Sequence, residues 1–159
     1  MSNLKKRDLI ILFIKCLSKK CNEKEKKTIE KNRKNIRVGL TGGVFDLIHL
    51  GHIKMLKQAK KHVDVLIVAV AREEMIRKKG RKPIHSLKER VELVNSIKYV
   101  DMALAGERNK EKILEKVKPD VFFYGYDQKE IIKPRNVEII KLKPYKKSKL
   151  KTSIIEKHY

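Results

Sequence analysis

The pattern of hydrophobic and polar residues along this chain changes near residue 36. Before that point, residues 4–17 form a short apolar helical stretch with basic ends, and residues 19–35 are almost entirely polar. Beyond it, short apolar runs alternate with segments whose apolar residues recur every three or four positions, as on one face of a helix. The pattern therefore predicts two parts: a short helical extension, residues 1–35, and a domain of alternating strands and helices, residues 36–159.

The second part of the chain is predicted to contain five strands. The clearest is residues 63–71, a nearly continuous apolar run that is typical of a central parallel strand covered on both faces. Strands that alternate with helices indicate an α/β fold with a doubly wound parallel sheet, in which ligands bind at the carboxyl ends of the strands. The predicted strands are residues 36–41, 63–71, 100–105, 121–124 and 137–142, and the predicted helices are residues 50–61, 86–98 (with Ser86 as N-cap), 110–117 and 153–158.

The length and charge of the chain limit its function further. A chain of 159 residues fits one domain with a short appendage and excludes a large multidomain enzyme. The chain has 41 Lys and Arg against 19 Asp and Glu, a net charge of +22, which attracts polyanions such as nucleotides, nucleic acids and anionic membranes. Because 32 of these residues are Lys, the positive charge is explained equally well by the composition bias of an AT-rich genome as by a functional basic surface.

No apolar run approaches the roughly 20 residues that a membrane helix needs, so we expect no membrane partner. The two cysteines, Cys16 and Cys21, do not make a disulfide framework, which points to a reducing cytosol and a cytoplasmic protein. Their C-x4-C spacing has no further Cys or His pair nearby and is therefore a weak zinc pattern.

One segment, GGVFDLIHLGH at residues 42–52, joins the first predicted strand to the next helix. Its two adjacent glycines allow a tight turn that brings backbone N–H groups close to a ligand. Gly51 lies in the first helical turn, where free N–H groups and the positive end of the helix dipole favour phosphate. His49 and His52 are three residues apart and can face the same anion, where imidazole donors stabilise developing charge. We therefore predict that both histidines are catalytic.

This segment resembles the G-x-F-D-x-x-H-x-G-H signature of the cytidylyltransferase-like nucleotidyltransferases, and the similarity extends from about Arg37 to the C-terminus. The resemblance implies a Rossmann-like fold and transfer of a nucleotidyl group from an NTP to a phosphate monoester, with release of pyrophosphate. Residues 71–74, 80–84 and 125–128 are most similar to the FAD synthetases of the archaeal type. The chain is thus expected to transfer AMP from ATP to FMN, with ATP preferred over CTP.

The resemblance also implies roles for individual residues. Asp127 would accept hydrogen bonds from the ribose or the adenine amino group, and Asp46 would fix a loop. The expected nucleotide-binding residues are Val44, Phe45, His49, Leu50, Gly51, His52, Asp127 and Ser153, and the expected phosphate contacts are Lys79, Arg81, Lys82, Arg90 and Thr152. Mg²⁺ is implied by the NTP and would be bound mainly through it, since the sequence shows no carboxylate cage.

Two alternatives remain open at this point. A glycerol-3-phosphate cytidylyltransferase usually has a Gly-Asp-Asp-Trp segment and an Arg-Thr-x-Gly-Ile-Ser-Thr-Thr stretch, where this chain has GYDQ at residues 125–128 and KKSKLKTS at residues 146–153. A basic RNA-binding protein is the alternative from another class, although 159 residues cannot hold an aminoacyl-tRNA synthetase and specific nucleic-acid binding is not expected. The superfamily often dimerises, which leaves a homodimer open, and residues 1–34 are expected to be dispensable for chemistry.

Overall fold

The computed structural model describes residues 4–130 and 134–145. The helices are α1 Lys6–Leu17, α2 Glu23–Asn32, α3 Leu50–Lys60, α4 Glu73–Arg77, α5 Leu87–Asn95 and α6 Lys110–Val117, with a 3-10 turn at Arg33–Asn35. The strands are β1 Val38–Gly43, β2 Val65–Val70, β3 Met102–Ala105, β4 Val121–Tyr124 and β5 Glu138–Lys141. The predicted helix at residues 153–158, with Thr152 and Ser153, lies outside the described residues.

All five strands are parallel and form one sheet in the order β3-β2-β1-β4-β5, which confirms the predicted doubly wound α/β fold. The chain runs outward from β1 through β2 to β3, and then crosses back to place β4 on the other side of β1. The β1–β4 pairing ends at Thr41 and Phe123, whereas the β1–β2 pairing continues to Gly43 and Val70. A crevice is therefore expected between the carboxyl ends of β1 and β4, where the strand order reverses.

Each face of the sheet is covered by its own hydrophobic core. Val65 and Ile67 of β2 belong to one core, while Leu66, Val68 and Val70 belong to the other, as the alternation of side chains along a strand requires. Helices α3 and α5 contribute to the second core, and α6 contributes to the first. Both faces of β2 are thus buried, in agreement with its continuous apolar sequence.

The N-terminal extension forms part of the first core rather than a separate appendage. Leu9, Phe13 and Leu17 are spaced by four residues, so they share one face of α1, and all three are buried. Ile29 of α2 is buried in the same core, together with β1 and β2 residues. Residues 19–35, which are almost entirely polar in sequence, thus include a helix that is anchored to the core by Ile29.

Three aspartates tie the amino edge of the sheet to nearby cations. Asp120 accepts the Val38 N–H at 2.7 Å and both terminal nitrogens of the Arg33 guanidinium at 3.0 Å. Asp64 accepts the Arg37 N–H and is paired with Lys6. Asp101 accepts the N–H of β2 residue Leu66 and is paired with Lys60 of α3. Since Arg33 and Lys6 belong to the extension, ion pairs as well as apolar contacts hold it to the sheet.

We expect Arg33→Ala to lower the free energy of unfolding by about 1–3 kcal/mol, because the substitution also removes hydrogen bonds to the Ile36 and Lys118 carbonyls. Urea denaturation measures this change. Lys26→Ala is the control, since Lys26 and Glu23 form a solvent-exposed pair that is worth at most about 1 kcal/mol. Equal midpoints for the two variants would contradict a structural role for Arg33.

The edge strand β3 is covered by a side chain from α5. Asn95 accepts the Ala103 N–H at 2.7 Å and donates to the Ala103 carbonyl oxygen at 3.2 Å. Both outward-facing backbone groups of this residue are therefore satisfied without another strand.

Cys16 and Cys21 are joined by a disulfide, where the sequence led us to expect free thiols. Lys19, with φ of 59°, reverses the chain after α1 and leaves the two Cα atoms 4.7 Å apart. Both sulfur atoms are thus used within the turn between α1 and α2.

Candidate active site

The loop after β1 is held in a strained conformation by a buried phenylalanine. Phe45 has φ of 50°, in the left-handed region that large side chains rarely adopt, and its ring is buried. The ring lies against Gly43, where an added Cβ would come within 2.8 Å of it, so this position requires glycine. Within the described part of the chain, the N–H groups of Val44 and Phe45 make no hydrogen bond, which leaves both available to a ligand.

The two predicted histidines meet at the N-terminus of α3. His49 is the N-cap, and its Nδ1 accepts the Gly51 N–H at 3.1 Å. The Nδ1 of His52 accepts the His49 N–H at 3.2 Å, and the two ring centroids are 4.0 Å apart. Because a neutral imidazole that accepts through Nδ1 carries its proton on Nε2, each ring offers one Nε2–H donor to an anion.

Burial keeps both rings uncharged at neutral pH. Burial, aided by the neighbouring His49, lowers the pKa of His52 to about 4, although the negative charge of Asp127 opposes this shift. Burial also lowers the pKa of His49. Asp127 follows β4, and the next residue, Gln128, donates to the Gly42 carbonyl oxygen of β1, so the carboxyl ends of β1 and β4 lie side by side.

The pKa of His52 predicts how stability depends on pH. An unfolded histidine takes up a proton near pH 6.5, but folded His52 does so only near pH 4. The unfolded state therefore binds more protons between these values, so stability should fall as pH is lowered from 6.5 to 4. His52→Asn should weaken this dependence, measured by urea denaturation across the range, whereas the exposed His62→Asn should preserve it. An unchanged slope in His52→Asn would contradict the assignment.

Residues 44–49, which join β1 to α3, are called the signature loop below. Asp46 links this loop to the basic loop that follows α4. Its buried carboxylate accepts the N–H groups of Ile84 and His85, each at 2.9 Å. The sequence-based expectation that Asp46 fixes a loop is confirmed by these contacts. Lys79 and Lys82 lie in the anchored loop and are exposed, while Arg81 is half-buried. The predicted phosphate-binding loop is thus tied to the signature loop.

Arg90 occupies a different position from the one we predicted. Its side chain is 0% exposed and donates to the carbonyl oxygens of Val44, Ala71 and His85 at 2.9, 2.7 and 3.1 Å. The remaining terminal nitrogen, Nη2, is buried and has no hydrogen-bond partner among residues 4–130 and 134–145. We predicted a phosphate contact, but the guanidinium instead lies beneath the loops and joins the segments that follow β1 and β2.

Two contacts at the carboxyl edge of the sheet were missed by sequence reasoning. The Gln128 side chain bridges Gly42 and Gly125, and the Arg72 Nε donates to the Gly106 carbonyl oxygen at 2.8 Å. Gln128 stands in the GYDQ segment that carried the family resemblance, but nothing in the sequence indicated its partners. The only signal was its place directly after Asp127.

A metal site built by the protein itself is absent from residues 4–130 and 134–145, where no group of three or more His, Cys, Asp or Glu is placed to hold an ion. Over the same residues, no helix is both long and apolar enough to cross a membrane.

Comparison with known proteins identifies the family. The cytidylyltransferase-like family matches residues 40–156. A protein of Thermococcus sibiricus named FAD synthase is 42% identical over 79% of this chain and 93% of its own length. A protein of Pyrococcus horikoshii with the same name is 43% identical over 78% of this chain and 93% of its own length.

The fold of a solved structure is also similar. The crystal structure of the lipopolysaccharide core biosynthesis protein from Thermoplasma volcanium GSS1 has a TM-score of 0.64 and 35% identity. The match covers 70% of this chain and 99% of that one. The signature loop and the paired histidines point to the same family as these relatives. The chain belongs to the cytidylyltransferase-like family.

Proposed function

We propose that this chain is an FAD synthase, which transfers AMP from ATP to FMN and releases pyrophosphate. The observation that carries the proposal is the pair of neutral imidazoles at the start of α3, each with its Nδ1 used by the backbone and its Nε2–H left as a donor. The family provides the reaction type, and the FAD synthase relatives at about 42% identity support ATP and FMN as the substrates.

The reaction is an in-line displacement at phosphorus. An oxygen of the FMN phosphate attacks the α-phosphorus of ATP, and the bond to the bridging oxygen of the departing pyrophosphate breaks. Charge on the α-phosphate oxygens is redistributed in the transition state, so catalysis depends on positioning and on donors aimed at those oxygens. We assign this role to the Nε2–H groups of His49 and His52, supported by the N–H groups of Val44 and Phe45, which no described residue engages.

Other residues would bind the substrates around this centre. Asp127 is proposed to accept hydrogen bonds from the ribose or the adenine amino group. Leu50 and Gly51 would bring the positive end of the α3 dipole to the nucleotide, while the Gly51 N–H itself stays bonded to His49. Lys79, Arg81 and Lys82 would bind the β,γ-phosphates or the phosphate of the acceptor. Thr152 and Ser153 stay predictions, since both lie outside the described residues.

Mg²⁺ is proposed to enter with the nucleotide. Among the described residues the protein offers no acidic cluster, which fits a cation bound through triphosphate oxygens and water. When bound, the ion would neutralise part of the triphosphate charge. The domain division is also a proposal: residues 36–159 carry the chemistry, and residues 1–35 support the fold.

A panel of nucleotides and acceptors tests this function. Pyrophosphate release should be fastest with ATP and FMN, and CTP should be at least about tenfold slower, because the site must discriminate between bases by their hydrogen-bonding groups. Glycerol 3-phosphate, nicotinamide mononucleotide and phosphopantetheine serve as the other acceptors. Equal or faster turnover with CTP and glycerol 3-phosphate would replace the proposal with a cytidylyltransferase.

A further inference from the structure

The backbone of β1 loses its β4 partner just before the signature loop. Pairing between the two strands ends at Thr41 and Phe123, so the Gly42 carbonyl oxygen lies beyond the last paired residue. On the opposite side, Gly43 still accepts a hydrogen bond from the Ala71 N–H after β2. The gap lies where the strand order reverses, which is where such sheets bind their ligands.

The side chain of Gln128 fills this gap. Its Nε2 donates to the Gly42 carbonyl oxygen at 3.0 Å, and its Oε1 accepts the Gly125 N–H at 2.8 Å. A side-chain amide has the donor and acceptor of a peptide group, so Gln128 takes the place of backbone hydrogen bonds between β1 and the residue after β4. The Gln128 N–H also donates to the Gly125 carbonyl oxygen at 3.1 Å, which closes the loop on itself.

We propose that Gln128 is a positioning residue whose amide sets the separation between the carboxyl ends of β1 and β4 and thereby places Asp127 opposite the paired histidines. This inference rests on the proposed function and deepens it, because it assigns the nucleoside half of ATP to the crevice. Gln128 acts through its neighbours, since both ends of its amide are engaged by backbone groups. The triphosphate half is held elsewhere, at the start of α3.

Because the two halves of ATP are assigned to different places, the experiment compares the binding of ATP with the binding of a ligand that has no nucleoside. ATP and inorganic tripolyphosphate are titrated separately into wild-type protein, Gln128→Met and Gln128→Glu by calorimetry, without FMN. Met has a similar length and no amide, while Glu keeps an acceptor for Gly125 but turns an oxygen toward the Gly42 carbonyl. Both variants should bind ATP at least about tenfold more weakly, from the loss of one or two hydrogen bonds, and tripolyphosphate within about twofold of wild type.

The control is Lys129→Met, an exposed neighbour that receives the same new side chain and should bind ATP within about twofold of wild type. Amide hydrogen exchange at Gly125 should be faster in Gln128→Met, which reports the lost bond directly. Unchanged ATP binding, or an equal loss for ATP and tripolyphosphate, would overturn the positioning role; if Gln128→Met fails to fold, Gln128→Glu decides. A wild-type protein that binds tripolyphosphate but not ATP would contradict the proposed function itself.

Discussion

Replacing His49 or His52 with Asn should lower kcat at least about 100-fold, while the affinity for ATP stays within about tenfold of wild type. The reason is that an Nε2–H donor aimed at the α-phosphate acts mainly on charge that is present in the transition state. Asn is shorter than His and cannot both accept the backbone N–H at the start of α3 and reach the nucleotide. Steady-state kinetics and calorimetry with ATP separate the two effects.

His62→Asn is the matched control, since His62 is exposed and lies outside the site. It should retain wild-type kcat. Melting temperatures should be recorded for all three variants, because a merely structural histidine would lose activity only in proportion to unfolding. Normal turnover in both His49→Asn and His52→Asn would remove them from the catalytic centre.

The second large effect is expected from the N-terminal extension. Phe13→Ala should lower the free energy of unfolding by about 3–5 kcal/mol, because the ring is buried against the sheet and its removal leaves a cavity. The Phe13 ring also makes a cation–π contact with the Arg33 guanidinium, whose central carbon lies 5.5 Å from the ring centroid. Urea denaturation measures the change. The control is Ile11→Ala on the same helix, which is 56% exposed and should cost less than about 1 kcal/mol.

This packing changes how the proposed division of the chain should be tested. Deleting residues 1–34 would expose the sheet face that Leu9, Phe13 and Leu17 cover, so loss of activity in a truncated protein would report unfolding. The prediction that the extension is dispensable for chemistry is tested better with Phe13→Ala under stabilising conditions, where kcat per folded molecule should match wild type. A truncated protein that folds with wild-type stability would contradict the packing argument.

Much of the fold could be predicted from the sequence because it depends on local patterns. The apolar run of residues 63–71 predicted the central strand β2, and Ser86, predicted as an N-cap, begins α5 through its own side chain. The histidine pair could be predicted for the same reason, because two residues that are three positions apart at the start of a helix lie on the same side of it. The short α4 escaped notice because its five residues carry too little periodicity.

Contacts between distant segments could not be predicted. A basic residue one turn into α5 suggested a phosphate contact, but two of the three carbonyl groups that Arg90 contacts come from Val44 and Ala71, 46 and 19 residues away. Residues 4–17 were predicted as a short apolar helix in an appendage, because nothing in the sequence indicates that α1 packs on the sheet. For Gln128, only the ends of two non-consecutive strands explain why an amide is needed there.

The Asn95 side chain at the outer edge of β3 has a consequence for self-association. An open edge strand is a template on which a second molecule can add its own strand, and such growth leads to aggregates. Asn95 already occupies the outward N–H and carbonyl of Ala103 in the middle of this short strand. The net charge of +22 also repels other copies of the chain. A second copy that added a strand at this edge would have to displace the Asn95 side chain from Ala103.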